Sequence, residues 1–397
     1  MRIAHLADLH LGFRQYARQT PQGINQREAD VANACRAALE DVTAAAPDLI
    51  VIAGDLFHHV RPTNAAILYA FQQFSRLRLA LPDTPIVLIA GNHDTPRSVE
   101  TGSILKLLGT IPGVHAVTDE PRRVVFPELS ASVLAVPHVA WFGDTRPAIT
   151  PDAEARVNIL LMHGDVPGIV TKETPGAEFG GAELDPAVLR RPEWDYVALG
   201  HYHVPMQVAE SAWYAGALEH VTVNIWGEAG ERGGADRPGG KGWLLVEPGR
   251  PAKVRFRPVP AARRVLDLPP IHGAGLEAAA IDREIAARVK AVRSGIADQI
   301  VRQVVWDVPR PTARELDHTA IRALKAQALH YHLDLRRPET GRPAGIGSPG
   351  QRQTVPELVQ AYLAVRPLPP GVPRERVQAL AAETLAAVER DAAESGT

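Results

Sequence analysis

VALGHYHVP (residues 197–205) places a glycine and two histidines directly after an apolar run. A short apolar stretch bounded by turn residues reads as a buried strand. Both imidazoles therefore leave such a strand at its end. The same triplet, His-Tyr-His, recurs at 330–332 inside ALHYHLDL. That copy has no glycine exit and no carboxylate-rich company, and its alternation reads as a half-exposed strand face. Chemistry is expected of the first copy.

Four earlier apolar runs end in the same way. RIAHLA (2–7) is followed by Asp8 and His10, and LIVIA (49–53) by Asp55, His58 and His59. PIVLIA (85–90) is followed by Asn92, His93 and Asp94, and VNILLM (157–162) by His163. Apolar spacings of three and four over 26–46, 63–79 and 98–108 predict helices between the earlier runs. Strand–helix alternation of this kind specifies an α/β layered core. In such a sheet the loops at the carboxyl ends of parallel strands share one rim, where ligands bind. Residues two apart on an extended chain point to one side. Asp8 with His10, and His201 with His203, are each expected to aim at a single point.

The rim then collects two aspartates, one asparagine and four histidines: Asp8, His10, Asp55, Asn92, His163, His201 and His203. Nitrogen and oxygen donors without thiolate suit Mn²⁺, Fe²⁺ or Zn²⁺. Seven donors exceed one tetrahedral ion. They suit two divalent cations about 3.5–4 Å apart that share a carboxylate.

Composition excludes other classes. The chain has 397 residues, 45% hydrophobic and 22% charged, which allows two or three domains. A formal net charge of −2 means that any basic surface is local. The single cysteine, Cys35, allows neither an internal disulfide nor a cysteine-rich zinc site, and its helical register places it in the core. The opening MRIAHLADLHLGF is too polar for a secretory signal. No apolar run approaches ~20 residues, so no membrane span and a cytoplasmic location are expected. Neither a Gly-x-Ser-x-Gly elbow nor a P-loop occurs, so the chain is not expected to bind ATP.

Beyond the core, GEAGERGGADRPGGKG (227–242) reads as a flexible hairpin tip, and the proline-rich stretch 258–275 as a linker. A helical pattern (276–293), a β-rich run (299–308), a helix (311–327) and a strand (329–335) predict a small α+β domain. The Gly/Pro-rich stretch 336–353 reads as a tether. Helical patterns at 354–365 and 372–392 follow, the second with Val377, Leu380, Leu385 and Val388 near one face. Such a tethered amphipathic helix folds back or docks on a partner. The expected domains are 1–258, 259–337, a linker at 338–353 and a helical segment at 354–397.

Taken in order, Asp-x-His (8–10), Gly-Asp (54–55), Gly-Asn-His-Asp (91–94), His-Gly (163–164) and Gly-His-x-His (200–203) resemble the motifs of the calcineurin-like metallophosphoesterases. GDLFHHVRP (54–62), GNHDTP (91–96), WYAGALEH (213–220) and GGKGWLLVE (239–247) are similar to its DNA double-strand-break repair nuclease branch, the SbcD type. The resemblance implies a layered αββα core, a small α+β capping domain that positions DNA, and C-terminal partner-binding helices. It implies that Asp8, His10 and His203 hold one ion, that Asn92, His163 and His201 hold the other, and that Asp55 bridges them. It places His93 beside the scissile phosphate, with Asp94 orienting its ring, and has His58 position the nucleic-acid strand. His59 receives no role.

The resemblance further implies two divalent ions, manganese foremost with iron(II) or zinc as alternatives. It implies a homodimer through helices 63–79 and 98–108, with Ile67, Phe71, Phe74, Ile104, Leu107 and Leu108 at the contact. The tail helices would grip an SMC-like ATPase of the SbcC type, and DNA would be the substrate, cut as exonuclease and endonuclease. Arginine pairs at 122–123, 190–191, 263–264 and 336–337, and the run Arg283, Arg288, Lys290 and Arg293, are candidate DNA contacts that read by default as solvated faces. A phosphoesterase of a small phosphodiester or nucleotide is the competing reading, and an inactive scaffold a third. GNHD in place of GNHE speaks against a protein phosphatase.

Overall fold

The first and second strands are short, apolar but for His5, and buried on both faces. This is what a parallel strand sandwiched between layers requires. In the computed structural model, which describes residues 1–96, 102–141, 146–169, 181–230, 239–338, 354–366, 368 and 372–394, two six-stranded sheets form. One comprises β1 (Ile3–Leu6), β2 (Leu49–Ile52), β3 (Ile86–Ile89), β4 (Val114–Val117), β11 (Gly242–Glu247) and β12 (Lys253–Pro258), in the order β12-β11-β1-β2-β3-β4. The other comprises β5 (Arg122–Phe126), β6 (Ala131–Ala135), β7 (Val157–His163), β8 (Tyr196–Gly200), β9 (Met206–Ala209) and β10 (Ala212–Tyr214), in the order β5-β6-β7-β8-β10-β9. β1, β2 and β3 run parallel, as do β7 and β8, while β11 pairs antiparallel with β1.

Period-two alternation sorts the side chains into layers. Ile3, Leu49, Val51, Val87 and Ile89 of the first sheet meet Val133, Ile159, Leu161 and Ala198 of the second, which makes the inter-sheet core. On the outer face of the first sheet, Leu6, Ile50, Ile52 and Leu88 pack with α1 (Gln26–Ala45) and α2 (Asn64–Ala80) through Val31, Cys35, Leu39, Val42, Phe74 and Leu77. On the outer face of the second, Leu134, Leu160, Met162 and Leu199 pack with Trp141, Trp194 and Leu189 of α3 (Pro186–Leu189). The result is a layered α/β core. Burial pushes the Cys35 thiol up to about 12, so it packs as an inert apolar group. His5 also lies between the sheets, its Nδ1 2.8 Å from the Tyr196 hydroxyl.

The described chain divides into two units. The first gathers Met1–Pro269, Ala286–Gln303 and His318–Leu333; the second gathers the described residues of Pro270–Ile285, Val304–Asp317 and Asp334–Thr397. A third sheet takes the order β13-β14-β15, from β13 (Val265–His272), β14 (Ile300–Trp306) and β15 (His330–Leu335).

Several elements differ from expectation for identifiable reasons. The stretch at 227–242 is not simply a loop: α4 (Ile225–Gly230) covers its start, and its charges Glu228 and Lys241 are buried as an ion pair. Opposite charges far apart in sequence can enter the interior when they meet. The linker read at 258–275 contains β13, an edge strand, where proline's missing N–H is tolerated. The helix at 276–293 is α5 (Ala278–Ala291). The single helix expected at 311–327 is α6 (Arg310–Arg314) and α7 (His318–Gln327), because the Asp282 carboxylate accepts the Asp317 N–H at 3.0 Å between them.

The helix at 98–108 is a 3-10 helix at Ile104–Thr110 that starts after Gly102 at φ 62°, and residues 97–101 lie outside those described. Of the expected dimer contacts, Phe74 and Leu108 belong to the core, with 0% and 2% of their surface exposed. Of the tether expected at 336–353, residues 339–353 also lie outside the described residues. α8 (Val355–Val365) and α9 (Arg374–Glu394) pack against each other, and Gln360 Nε2 donates to the Gln378 carbonyl at 3.0 Å. No described helix is long and apolar enough to cross a membrane.

Candidate metal centre

Parallel register brings the strand ends together. Leu6, Ile52 and Leu88 lie side by side, and His163 pairs with Gly200 across β7 and β8. The backbone then turns sharply. Asp8 N–H donates to Gly54 O at 3.1 Å and His10 N–H to Asp55 O at 3.0 Å. The His201 N–H donates to the Asp8 carboxylate at 3.0 Å, tying the rim of one sheet to the other. Four donor residues occupy the left-handed region: Asp8 (φ 52°), His10 (φ 45°), Asp55 (φ 50°) and His201 (φ 104°). Such residues cost about 1–3 kcal/mol each and persist where the surroundings over-determine them. A Cβ on Gly200 would land on the Ala53 carbonyl, so only glycine lets β8 reach the rim this closely.

Asp8 and His10 share one donor group as expected, whereas the pairing expected for His201 and His203 does not hold. With His201 at φ 104°, the two imidazoles of Gly-His-Tyr-His part company. Donor atoms of Asp8, His10 and His203 lie within 4.8 Å of one another, and so do those of Asp55, His163 and His201. His10 Nε2 and His203 Nε2 face each other at 3.0 Å. The Asn92 Oδ1 lies 2.8 Å from His163 Nε2 and 3.0 Å from His201 Nδ1. Asp55 Oδ2 lies 3.3 Å from His163 Nε2 and 3.9 Å from His10 Nε2, between the groups. All seven side chains are thus in one place.

The remaining expected residues stand at its edge. His58 Nδ1 is 3.2 Å from His10 Nδ1, and its ring stacks on His93 with centroids 5.1 Å apart. His93 Nδ1 faces the His58 carbonyl at 2.7 Å. Asp94 is placed differently from expectation. Its carboxylate accepts from the backbone N–H groups of Leu56 (3.0 Å), Phe57 (3.0 Å) and Gly91 (3.3 Å), so it pins the loop that carries Asp55. His59 lies against His58, with ring centroids 4.6 Å apart.

The electrostatics are those of densely packed opposite charges. Burial opposes ionisation of Asp55, yet the charges of His163, His10 and His93 hold its carboxyl well below the usual range. Burial likewise opposes a charge on His163, but the Asp55 and Asp8 carboxylates raise it to about 9. Burial raises Asp94 to about 7, with the Asp55 charge adding to it, against three amide donors that pull the other way. Imidazole nitrogens facing each other at 3.0 Å, above carboxylates with 0% exposure, suit lone pairs directed at common cations. The donor set therefore fits a pair of divalent metal ions.

Three residues were not singled out from the sequence. Asp165 Oδ1 stands 3.3 Å from His201 Nε2, the nitrogen turned away from Asn92, close enough to attract that ring and help hold its direction. It directly follows His163-Gly164, which was the available signal. Lys241 is buried, pairs with Glu228, and donates from Nζ to the His203 carbonyl at 2.8 Å. His138 lies edge-on to His163 with centroids 6.1 Å apart, and burial lowers it to about 4. Of the arginine pairs, Arg123, Arg191, Arg263 and Arg336 already bind protein groups.

The layered core and its rim of carboxylate and imidazole donors define a metal-dependent phosphoesterase architecture. The family model of the calcineurin-like phosphoesterases matches residues 1–205, and the chain belongs to that family. It is similar to the DNA double-strand break repair protein Mre11 of Methanopyrus kandleri, 31% identical over 274 residues, which cover 64% of this chain and 56% of that protein. It is also similar to Mre11 of Methanococcus maripaludis (35% over 236 residues, 56% and 59%) and of Archaeoglobus fulgidus (28% over 225 residues, 52% and 46%). The chain thus spans about half the length of the curated relatives it matches.

Proposed function

We propose that this chain is a DNA repair nuclease that hydrolyses phosphodiesters, as exonuclease and endonuclease, at double-strand ends and hairpins. The observation that carries the reading is the convergence of seven donor side chains from five strand ends, with His58 and His93 ranged beside them. Asp8, His10 and His203 would hold one ion, Asn92, His163 and His201 the other, and Asp55 would reach both. Manganese is the proposed metal, with iron(II) or zinc as alternatives. Bound cations would supply positive charge to the phosphate and lower the pKa of bound water toward ~7.

The chain's own groups do the rest. The His58 carbonyl accepts from His93 Nδ1, which fixes the ring so that Nε2 would meet a phosphoryl or leaving oxygen. His58, stacked on that ring, would steer the DNA strand. Asp94 holds the Asp55 loop in place through its amides. Imidazoles and an amide bring no negative charge of their own to the site, so an anionic substrate can approach.

The nuclease would work as a homodimer through α2 and the segment after Gly-Asn-His-Asp, where Leu68 and Leu107 are 60% and 39% exposed. It would be the nuclease subunit of a complex with an SMC-like ATPase of the SbcC type. The helices at 354–397 would dock there, where Tyr362, Val365 and Leu380 are exposed. The proposed domains are 1–258 for hydrolysis, 259–337 as a cap that positions DNA, 338–353 as linker and 354–397 for the partner. The proposed location is cytoplasmic, on the nucleoid when bound. The test is cleavage of linear duplex and hairpin DNA with Mn²⁺. Wild type cuts; His93→Ala loses cutting while its metal content, read by elemental analysis, stays. Undiminished hydrolysis by His93→Ala removes His93 from the reaction.

A further inference from the structure

The second His-Tyr-His has a ring partner from the other end of the chain. Along β15, His330 is half-buried, Tyr331 buried and His332 exposed. The His330 and His332 rings are nearly parallel, 14° apart with centroids at 6.1 Å. Tyr16 stacks on His330 at 4.0 Å and 10°. Three π faces therefore step along one edge in a single orientation.

This stack is held in place. Tyr16 has φ 62°, a conformation that a tyrosine rarely adopts without constraint. Two residues on, Arg18 Nη1 pairs with Asp298 at 3.2 Å, while Nη2 donates to the carbonyls of Ala326 (2.7 Å) and Ala328 (2.9 Å). The guanidinium thus fastens the Tyr16 loop to the turn between α7 and β15. An open cleft of about 640 Å³ runs there, lined by Tyr16, Arg18, Lys325, His330 and His332 among others. Lys325 is exposed in the last turn of α7.

The same loop begins at the metal centre. His10 is one of the seven donors, and Phe13 meets His58 edge-on at 4.8 Å. The six residues from His10 to Tyr16 span at most about 20 Å, a few nucleotides of single strand. Parallel rings beside a lysine suit a planar heteroaromatic joined to a phosphate. An apolar peptide would find imidazole edges and a cation in place of an apolar groove. Every nucleobase presents a π face, so stacking of this kind ignores sequence.

We propose that Tyr16, His330 and His332 form a stacking platform for an unpaired base at a DNA end, with Lys325 meeting the adjoining phosphate. The proposal rests on the reading of the chain as a DNA nuclease and names where the frayed strand is held.

The test uses the full chain in EDTA with two probes: a blunt duplex, and the same duplex with a short single-stranded tail carrying 2-aminopurine. Wild type is expected to favour the tailed duplex and quench the 2-aminopurine by stacking. His332→Ala, at an exposed position, is expected to lose about tenfold in affinity for the tailed duplex, together with the quench. His332→Phe, which keeps a ring, retains both. If His332→Ala and Tyr16→Ala bind and quench as wild type does, the platform is wrong while the nuclease reading stands. If wild type binds neither duplex, the nuclease reading falls and the platform with it.

Discussion

The two His-Tyr-His triplets share a sequence and differ in everything that surrounds them. The first follows Gly200, turns at His201 with φ 104° and sends its imidazoles to different donor groups. The second stays in regular strand geometry, and its imidazoles share one side, nearly parallel. The period-two rule fails for the copy expected to do chemistry and holds for the other. A motif names the atoms available; the backbone decides where they go. In the first copy that backbone is fixed from outside, by the Asp8 carboxylate on the His201 N–H, by Lys241 on the His203 carbonyl and by Asp165 on the His201 ring.

Three experiments press on this contrast. The largest effect is expected at Lys241. Lys241→Met strands the buried Glu228 carboxylate and should cost about 3 kcal/mol in urea denaturation, since breaking a buried pair leaves an uncompensated charge. Lys241→Met/Glu228→Leu should recover most of it. Equal stability of all three proteins would mean that the first triplet does not depend on this pair. Next, Asp165→Asn should lower metal affinity or phosphodiester hydrolysis by about 10–100-fold, the usual weight of a group that orients a ligating histidine. A change confined to folding stability would show that His201 is aimed by other contacts.

The smallest concerns His5, which meets Tyr196 at the start of the strand leading into the first triplet. Burial lowers His5 to about 3, so the unfolded chain binds the extra proton between that value and the ordinary 6.5. Stability is therefore full above pH 6.5 and falls as the pH drops. At this one group the loss should be about 2 kcal/mol by pH 5. His5→Gln keeps a partner for the Tyr196 hydroxyl and should remove that slope. Identical pH profiles for the two proteins would mean that His5 does not titrate between the states.

What could be read in advance follows from locality. β1, β2, β3, β7, β8 and β11 each announce themselves as an apolar run, and each donor sits within a few residues of a run's end. α1 and α2 follow their spacing within one residue at each end. The assignment of His201 and His203 to different groups was not legible from spacing, because it depends on a positive φ. The buried pair of Glu228 and Lys241 looked like solvated loop because burial depends on a partner 13 residues away. β13 looked like a linker because composition does not tell an edge strand from a tether. The Tyr16–His330 stack joins positions with no periodic relation at all. Asp94 was expected beside a ring and serves backbone amides, since one acceptor and several nearby donors leave the choice to packing.

β11 carries a consequence for synthesis. It lies beside β1 at the middle of the first sheet, with Ile3 against Val246. Until residue 247 has left the ribosome, one edge of β1 has its N–H and C=O groups unpaired, a template for any passing strand. The segment 1–205, which bears the family signature and all the donors, thus lacks the strand that covers this edge of β1. The chain closes that edge only after its last donor, His203, has been made.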